Sequence, residues 1–232
     1  MLRHKAGVAF LTLSVLLLHA SLARAQQSIN FQVGVFTPRA EDGRTAGDVL
    51  VANSQYLRFG ISDFKAMTGG VEWLVPAGDN VEVGVGVGYY VRGVPSVYDA
   101  WVRDNGTDIA QEMKLRIIPL VATLKYLPFG ARRSIQPYVG VGVAAYFWRY
   151  SETGEFVDFN NNNEVFRASY VGTGTSYGPV VTFGVRARVS DKMDLGVEGR
   201  WQSGKGNLSR DFLSDRIDLG GINVLGTLRF RF

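Results

Sequence analysis

The chain contains no cysteine, only two histidines, and no apolar run long enough to cross a bilayer as a helix. Without cysteine there is no disulfide framework and no thiolate to act as nucleophile or metal ligand. Both histidines, His4 and His19, fall in the first 25 residues. That segment combines a basic start (Arg3, Lys5), the short apolar run GVAFLTLSVLLL and a small-x-small site at Ala23-Arg24-Ala25, so it reads as a secretory signal peptide. A mature chain over 26–232 then has neither imidazole nor thiol. Ser-His-Asp and Cys-His chemistry and ordinary His/Cys zinc sites are excluded, and the expectation is a protein that is not an enzyme and carries no cofactor or metal. Only a carboxylate-based reaction through Glu72, Glu82, Asp194 or Glu198 stays open.

Charge of one sign is lacking as well. The whole chain has 25 Lys and Arg against 21 Asp and Glu, and loss of Arg3, Lys5 and Arg24 with the signal peptide leaves it nearly neutral. Nucleic-acid binding needs Lys and Arg clustered on one surface, so no nucleic-acid partner is expected. No interdomain linker and no solenoid repeat interrupts 26–232, which reads as one domain.

What the sequence does have is alternation with period two. In VEVGVGVGYYVR, Val81, Val83, Val85, Val87, Tyr89 and Val91 alternate with Glu82, three glycines, Tyr90 and Arg92. Val181, Phe183, Val185 and Ala187 alternate with Thr182, Gly184, Arg186 and Arg188; Leu195, Val197 and Trp201 with Asp194, Glu198 and Arg200; Ile222, Val224, Leu228, Phe230 and Phe232 with Asn223, Thr227, Arg229 and Arg231. Successive strand residues point to opposite sides, so each segment has an oily face and a polar one. The test predicts eight strands near 29–37, 66–75, 81–92, 112–127, 135–150, 177–189, 193–203 and 217–232. The second could start as early as Tyr56, because Leu57, Phe59 and Ile61 share the parity of Val71 and Trp73. In the fourth, Thr123 and Lys125 lie behind Leu120, Ala122, Leu124 and Tyr126, with Ile117 and Val121 blurring the pattern.

The connections alternate strictly between long (38–65, 93–111, 151–176, 204–216) and short. Several long structureless loops are suspect in a soluble domain, whereas short periplasmic turns and long outer loops suit an outer-membrane barrel. The fold class expected is all-β, an eight-stranded antiparallel up-and-down transmembrane β-barrel. Its apolar faces meet lipid, its polar faces line the lumen, and closure removes the unpaired edges that hydrocarbon cannot solvate. Aromatics near strand ends (Trp73, Tyr89, Tyr126, Phe129, Phe147, Trp201, Phe230 and Phe232) suit interfacial girdles. The glycines at 84, 86 and 88 do not fit a dinucleotide fingerprint, and GVGVAA at 140–145 runs into strand-like YFWRY rather than a helix. On the inner face of a narrow barrel they leave room for large neighbours.

The strand PYVGVGVAAYF at 137–147, IPLVATLKYLPF at 118–129 and the closing LGTLRFRF with its terminal Phe232 resemble the small eight-stranded outer-membrane barrels of Gram-negative bacteria, the OmpA-, OmpX- and OmpW-type group. The resemblance covers the mature chain and implies residence in the bacterial outer membrane, contact with its lipid and lipopolysaccharide, and insertion by the barrel-assembly machinery through the last strand. It implies architecture rather than activity, since the group includes structural proteins, adhesins, narrow channels and enzymes.

The parity places Glu72, Glu82, Asp194 and Glu198 in the lumen with Lys125, Arg186, Arg188, Arg200, Arg229 and Arg231. Eight strands enclose a space that side chains can fill, so the expectation is a plugging charge network rather than a water channel. The role expected is structural or surface interaction by a monomer, with an extracellular ligand met by long loops such as 38–65 and the asparagine-rich 151–176. The alternative is a narrow channel for ions or small, including hydrophobic, molecules.

Overall fold

The computed structural model describes residues 27–159 and 161–232, so the signal-peptide expectation lies outside the described residues. Ten strands form: β1 (Ser28–Pro38), β2 (Ala66–Pro76), β3 (Val81–Val102), β4 (Asp108–Tyr126), β5 (Ile135–Asp158), β6 (Glu164–Ser190), β7 (Met193–Gln202), β8 (Lys205–Asn207), β9 (Arg216–Asp218) and β10 (Gly221–Arg231). Eight of them close an antiparallel barrel in the order β1-β10-β7-β6-β5-β4-β3-β2, while β8 and β9 make a separate two-stranded ribbon. Closure is direct: Ser28 of β1 pairs with Arg231 of β10, and Phe36 with Asn223.

The alternation decides which side of each strand meets what. Val83, Val85, Val87, Val139, Val141, Val143, Phe183, Val185, Val197 and Val224 all lie exposed on the outside, whereas Glu82, Lys125, Thr182, Glu198 and Arg229 are buried inside. A wall with an oily exterior and an ionic interior is stable only with hydrocarbon around it.

Four strands run well past their expected ends. β3 continues to Val102, β4 begins at Asp108, β5 continues to Asp158 and β6 begins at Glu164. Most of 93–111 and 151–176 is therefore two long hairpins rather than loops, paired from Val94↔Met113 and Tyr150↔Gly172 outward to Asp158↔Glu164. Asn161, Asn162 and Asn163 lie in the second hairpin's turn, the last two in the left-handed conformation that asparagine tolerates. The change of surroundings shows along β4. Below Ile118 its outward residues are apolar, but beyond it Arg116, Lys114 and Glu112 face out and Ile117, Leu115 and Met113 are buried inside. The alternation reverses where the strand leaves the bilayer for water.

Residues 56–65 do not extend β2. Leu57 makes one bridge to Tyr98, 61–64 form a 3-10 turn, and Leu57, Ile61 and Phe64 are buried inside rather than facing lipid. The 39–65 connection, including a short helix α1 (Val49–Asn53), folds over the barrel mouth. Its Val49, Leu50, Leu57, Ile61 and Phe64 join Tyr90, Val94, Met113, Leu115, Ile117, Tyr146, Trp148 and Tyr150 in one apolar cluster. Backbone bonds from Arg58 to the Val97 carbonyl (2.8 Å) and from Asp99 to the Tyr56 carbonyl (2.9 Å) cover the free upper edge of β3.

Candidate functional site

The interior has two unlike halves. Near the short turns it holds charge, in two layers. In the upper layer Lys125 of β4 donates to Glu72 of β2 (2.7 Å) and to Glu198 of β7 (2.9 Å). Arg200 donates to Glu198 (2.7 Å) and to Gln32 (2.8 Å), and Glu72 also accepts from Thr123 (3.1 Å), Gln32 (3.2 Å) and Asn30 (3.3 Å). In the lower layer Arg186 of β6 donates to Glu82 of β3 (2.7 Å) and to Gln136 (2.9 Å). Arg229 of β10 lies 3.0 Å from Glu82 and 3.8 Å from Asp194, and Arg231 donates to Asp194 through Nε at 3.1 Å.

Tyr138 of β5 couples the layers. Its hydroxyl donates to Glu198 (2.9 Å), while Lys125 and Arg186 lie 5.1 Å and 5.2 Å from its ring centroid. Each of these cations gains the attraction of the ring face in addition to its carboxylate. The glycines that alternate along the strands make the room. A Cβ on Gly84 would stand 2.6 Å from both Glu72 Oε1 and Thr123 Oγ1, and one on Gly184 would stand 2.5 Å from Tyr138.

Of the ten charged positions that the alternation points inward, the structure brings nine into this network. The tenth, Arg188, sits at the short-turn end, half-buried, and donates to the Ala131 carbonyl at 3.0 Å. Sequence reasoning did not single out Tyr138, Gln136, Gln32 or Asn30. All four share the interior parity of their strands, and that was the available signal.

The aromatic positions Trp73, Tyr89, Tyr126, Phe147, Trp201, Phe230 and Phe232 are all exposed on the outer wall. Trp73, Tyr126, Phe230 and Phe232 lie toward the short-turn end of their strands. Tyr89, Phe147 and Trp201 lie toward the opposite side of the apolar band.

The other half of the interior is apolar, and a latch holds its cap. Asp48 caps α1 through the Leu50 and Val51 amides (3.0 and 3.3 Å) and is paired with Arg44 (2.8 Å). The Asp218 amide donates to Asp48 (2.5 Å), and Asp218 in turn accepts from the Thr45 amide (2.9 Å) and Arg39 (3.1 Å). The connections on both sides of the mouth are thereby tied together. Beneath the cap Asn53 donates to Glu152 (2.5 Å) and to Tyr150 (3.1 Å), and the Tyr150 hydroxyl donates to Glu152 (2.8 Å). Glu152 lies beyond the lipid-facing band, and burial raises its carboxyl above the usual range, more than the two donated hydrogen bonds lower it.

Chemically, the lower interior is an ion-paired plug and the upper interior an apolar chamber filled by a folded cap. Among the described residues no group of His, Cys, Asp or Glu side chains is arranged to hold a metal.

A model of the OmpW family matches residues 70–201. No curated protein matches the sequence. Among solved structures, Neisserial surface protein A is 13% identical over 89% of this chain and 96% of its own, with a TM-score of 0.48. Outer membrane protein W of E. coli is 16% identical over 90% of this chain and 98% of its own, with a TM-score of 0.44. Ail, the attachment invasion locus protein of Yersinia pestis, is 10% identical over 89% and 99%, with a TM-score of 0.44.

Proposed function

The chain belongs to the OmpW family, which places it in the bacterial outer membrane as a transmembrane β-barrel, and from that premise we propose a closed barrel with a structural or surface-interaction role and no enzymatic one. The observation that carries this reading is Lys125 held between Glu72 and Glu198, with all three side chains almost wholly buried. Charges this deep must stay paired, so a continuous water path would have to break the pairs that stabilise the wall. The long β3–β4 and β5–β6 hairpins, standing clear of the bilayer, are the surface that an extracellular ligand would meet. The protein works as a monomer and enters the membrane through β10 and its terminal Phe232.

A second reading rests on the apolar upper interior. Leu115, Ile117, Tyr146, Trp148 and Tyr150 are buried there, above the ionic layers. A small apolar molecule admitted past the cap would find no path down through the charges and would have to leave sideways into lipid.

Trimming both hairpin turns, 103–107 and 159–163, tests the first reading. The trimmed barrel should keep its heat-modifiable gel mobility while cells displaying it lose adhesion to host cells. Unchanged adhesion counts against a role for the hairpins. Faster uptake of an apolar dye by cells carrying the intact protein than by cells lacking it would favour the second reading in its place.

A further inference from the structure

Just beyond the lipid-facing band, the outer wall carries three cations on two neighbouring strands. Arg116 of β4 stands directly opposite Arg149 of β5, and Lys114, opposite Ser151, lies on the diagonal to Arg149. All three side chains are exposed and point outward. Among the described residues none of them forms an ion pair or a side-chain hydrogen bond. The carboxylates on this face of β4 are Glu112, opposite Thr153, and Asp108 at the strand's outer end, both farther from the bilayer than Lys114. The residues flanking the two arginines are Val91 of β3 and Thr173 of β6, neither of them acidic.

Like charges placed directly opposite on a sheet repel, so this pair costs stability unless an anion sits between the two guanidinium groups. Its height on the wall says which anion. The residues next below are Ile118 and Phe147, paired with each other and facing lipid. From Tyr126, at the opposite margin, β4 climbs to Arg116 at about 3.3 Å per residue; tilted near 40°, that is a rise of roughly 25 Å, the height of the apolar band of an outer-membrane barrel. The two guanidinium groups therefore lie at the headgroup level of the outer leaflet. Guanidinium groups grip phosphate through two parallel N–H bonds each, and a nearby ammonium adds a point charge.

We propose that Arg116, Arg149 and Lys114 form a docking site for the phosphate groups of the glycolipid that makes up the outer leaflet, the phosphorylated lipid A portion of lipopolysaccharide. One phosphate bridges Arg116 and Arg149, with Lys114 beside it and the acyl chains lying against Ile118, Phe147 and the valines below. The proposal rests on the outer-membrane placement and is independent of whether the barrel conducts or adheres.

The test uses the full chain, folded in detergent with EDTA present so that divalent cations cannot bridge. Native mass spectrometry compares retention of bisphosphorylated lipid A with that of the same lipid dephosphorylated. The expected result is about tenfold preferential retention of the phosphorylated form, the loss of that preference in R116Q/R149Q, and its partial survival in R116K/R149K, which keeps the charge without the fork. Equal retention of the two lipids by the unaltered protein would overturn the proposal, with no variant needed. A full preference surviving in folded R116Q/R149Q would overturn it too. If inorganic phosphate at the same concentration displaces the lipid, the site is a general anion site and the assignment to a glycolipid fails.

Discussion

Lys125 Nζ lies 2.7 Å from the Glu72 carboxylate across a barrel interior that admits almost no solvent to either side chain. Replacing Lys125 with methionine leaves Glu72 and Glu198 facing each other without their shared cation. Breaking a buried pair in this way costs about 3–5 kcal/mol. The urea midpoint of the refolded protein in lipid vesicles should fall accordingly, and K125M/E72Q, which removes one charge of each sign and leaves Glu198 paired with Arg200, should recover most of the loss.

Gly184→Val tests the room made for Tyr138. The new Cβ would lie 2.5 Å from the phenol and 2.7 Å from the Val197 carbonyl, a rigid boundary. Overpacking of this kind costs about 1–3 kcal/mol. Gly226→Val, on the lipid face with its nearest neighbour at 3.6 Å, is the matched control and should unfold like the parent.

The Glu152 carboxyl gives the cap a pH dependence. Its folded-state value is raised by burial, so its contribution to stability is complete below the ordinary carboxylate range and is lost as pH rises through the raised value. Hydrogen exchange of the α1 amides should accelerate over that window. Glu152→Gln keeps the Asn53 and Tyr150 contacts without a titrating group, and exchange in it should not change with pH beyond the intrinsic chemical rate.

Asp48→Ala removes the helix cap of α1 together with the partner of Arg44 and of the Asp218 amide. An N-cap alone is worth about 1 kcal/mol. Trypsin should cut at Arg44 and Arg58 faster in this variant while the barrel keeps its heat-modifiable mobility.

The interior position of Glu82, Arg186, Glu198 and Arg229 was legible in the sequence because each alternates with valine, leucine or phenylalanine, and the alternating long and short connections with aromatics at strand ends turned the oily face toward lipid rather than toward a second sheet. Strand ends were not legible. The alternation carried β4 to Glu112, through the reversal that buries Leu115 and Ile117 and turns Lys114 and Arg116 to water, but 108–111 and the outer parts of β3 and β5 hold no unbroken apolar alternation to extend it. The outer part of β6, VGTGTS, is too small and polar to register as a strand. It forms because β5 supplies a full ladder, Val171↔Ser151 through Thr175↔Phe147. Leu57 and Ile61 matched the lipid-facing parity of β2 by coincidence. They are buried under the mouth by long-range packing that no local period encodes.

Planar-bilayer recording of the purified full chain tests the central claim most directly. With Lys125, Glu72, Glu198 and Tyr138 sealing the interior, the unaltered protein should give no current steps above the lipid baseline. Discrete, reproducible steps from the unaltered protein would contradict the sealed interior.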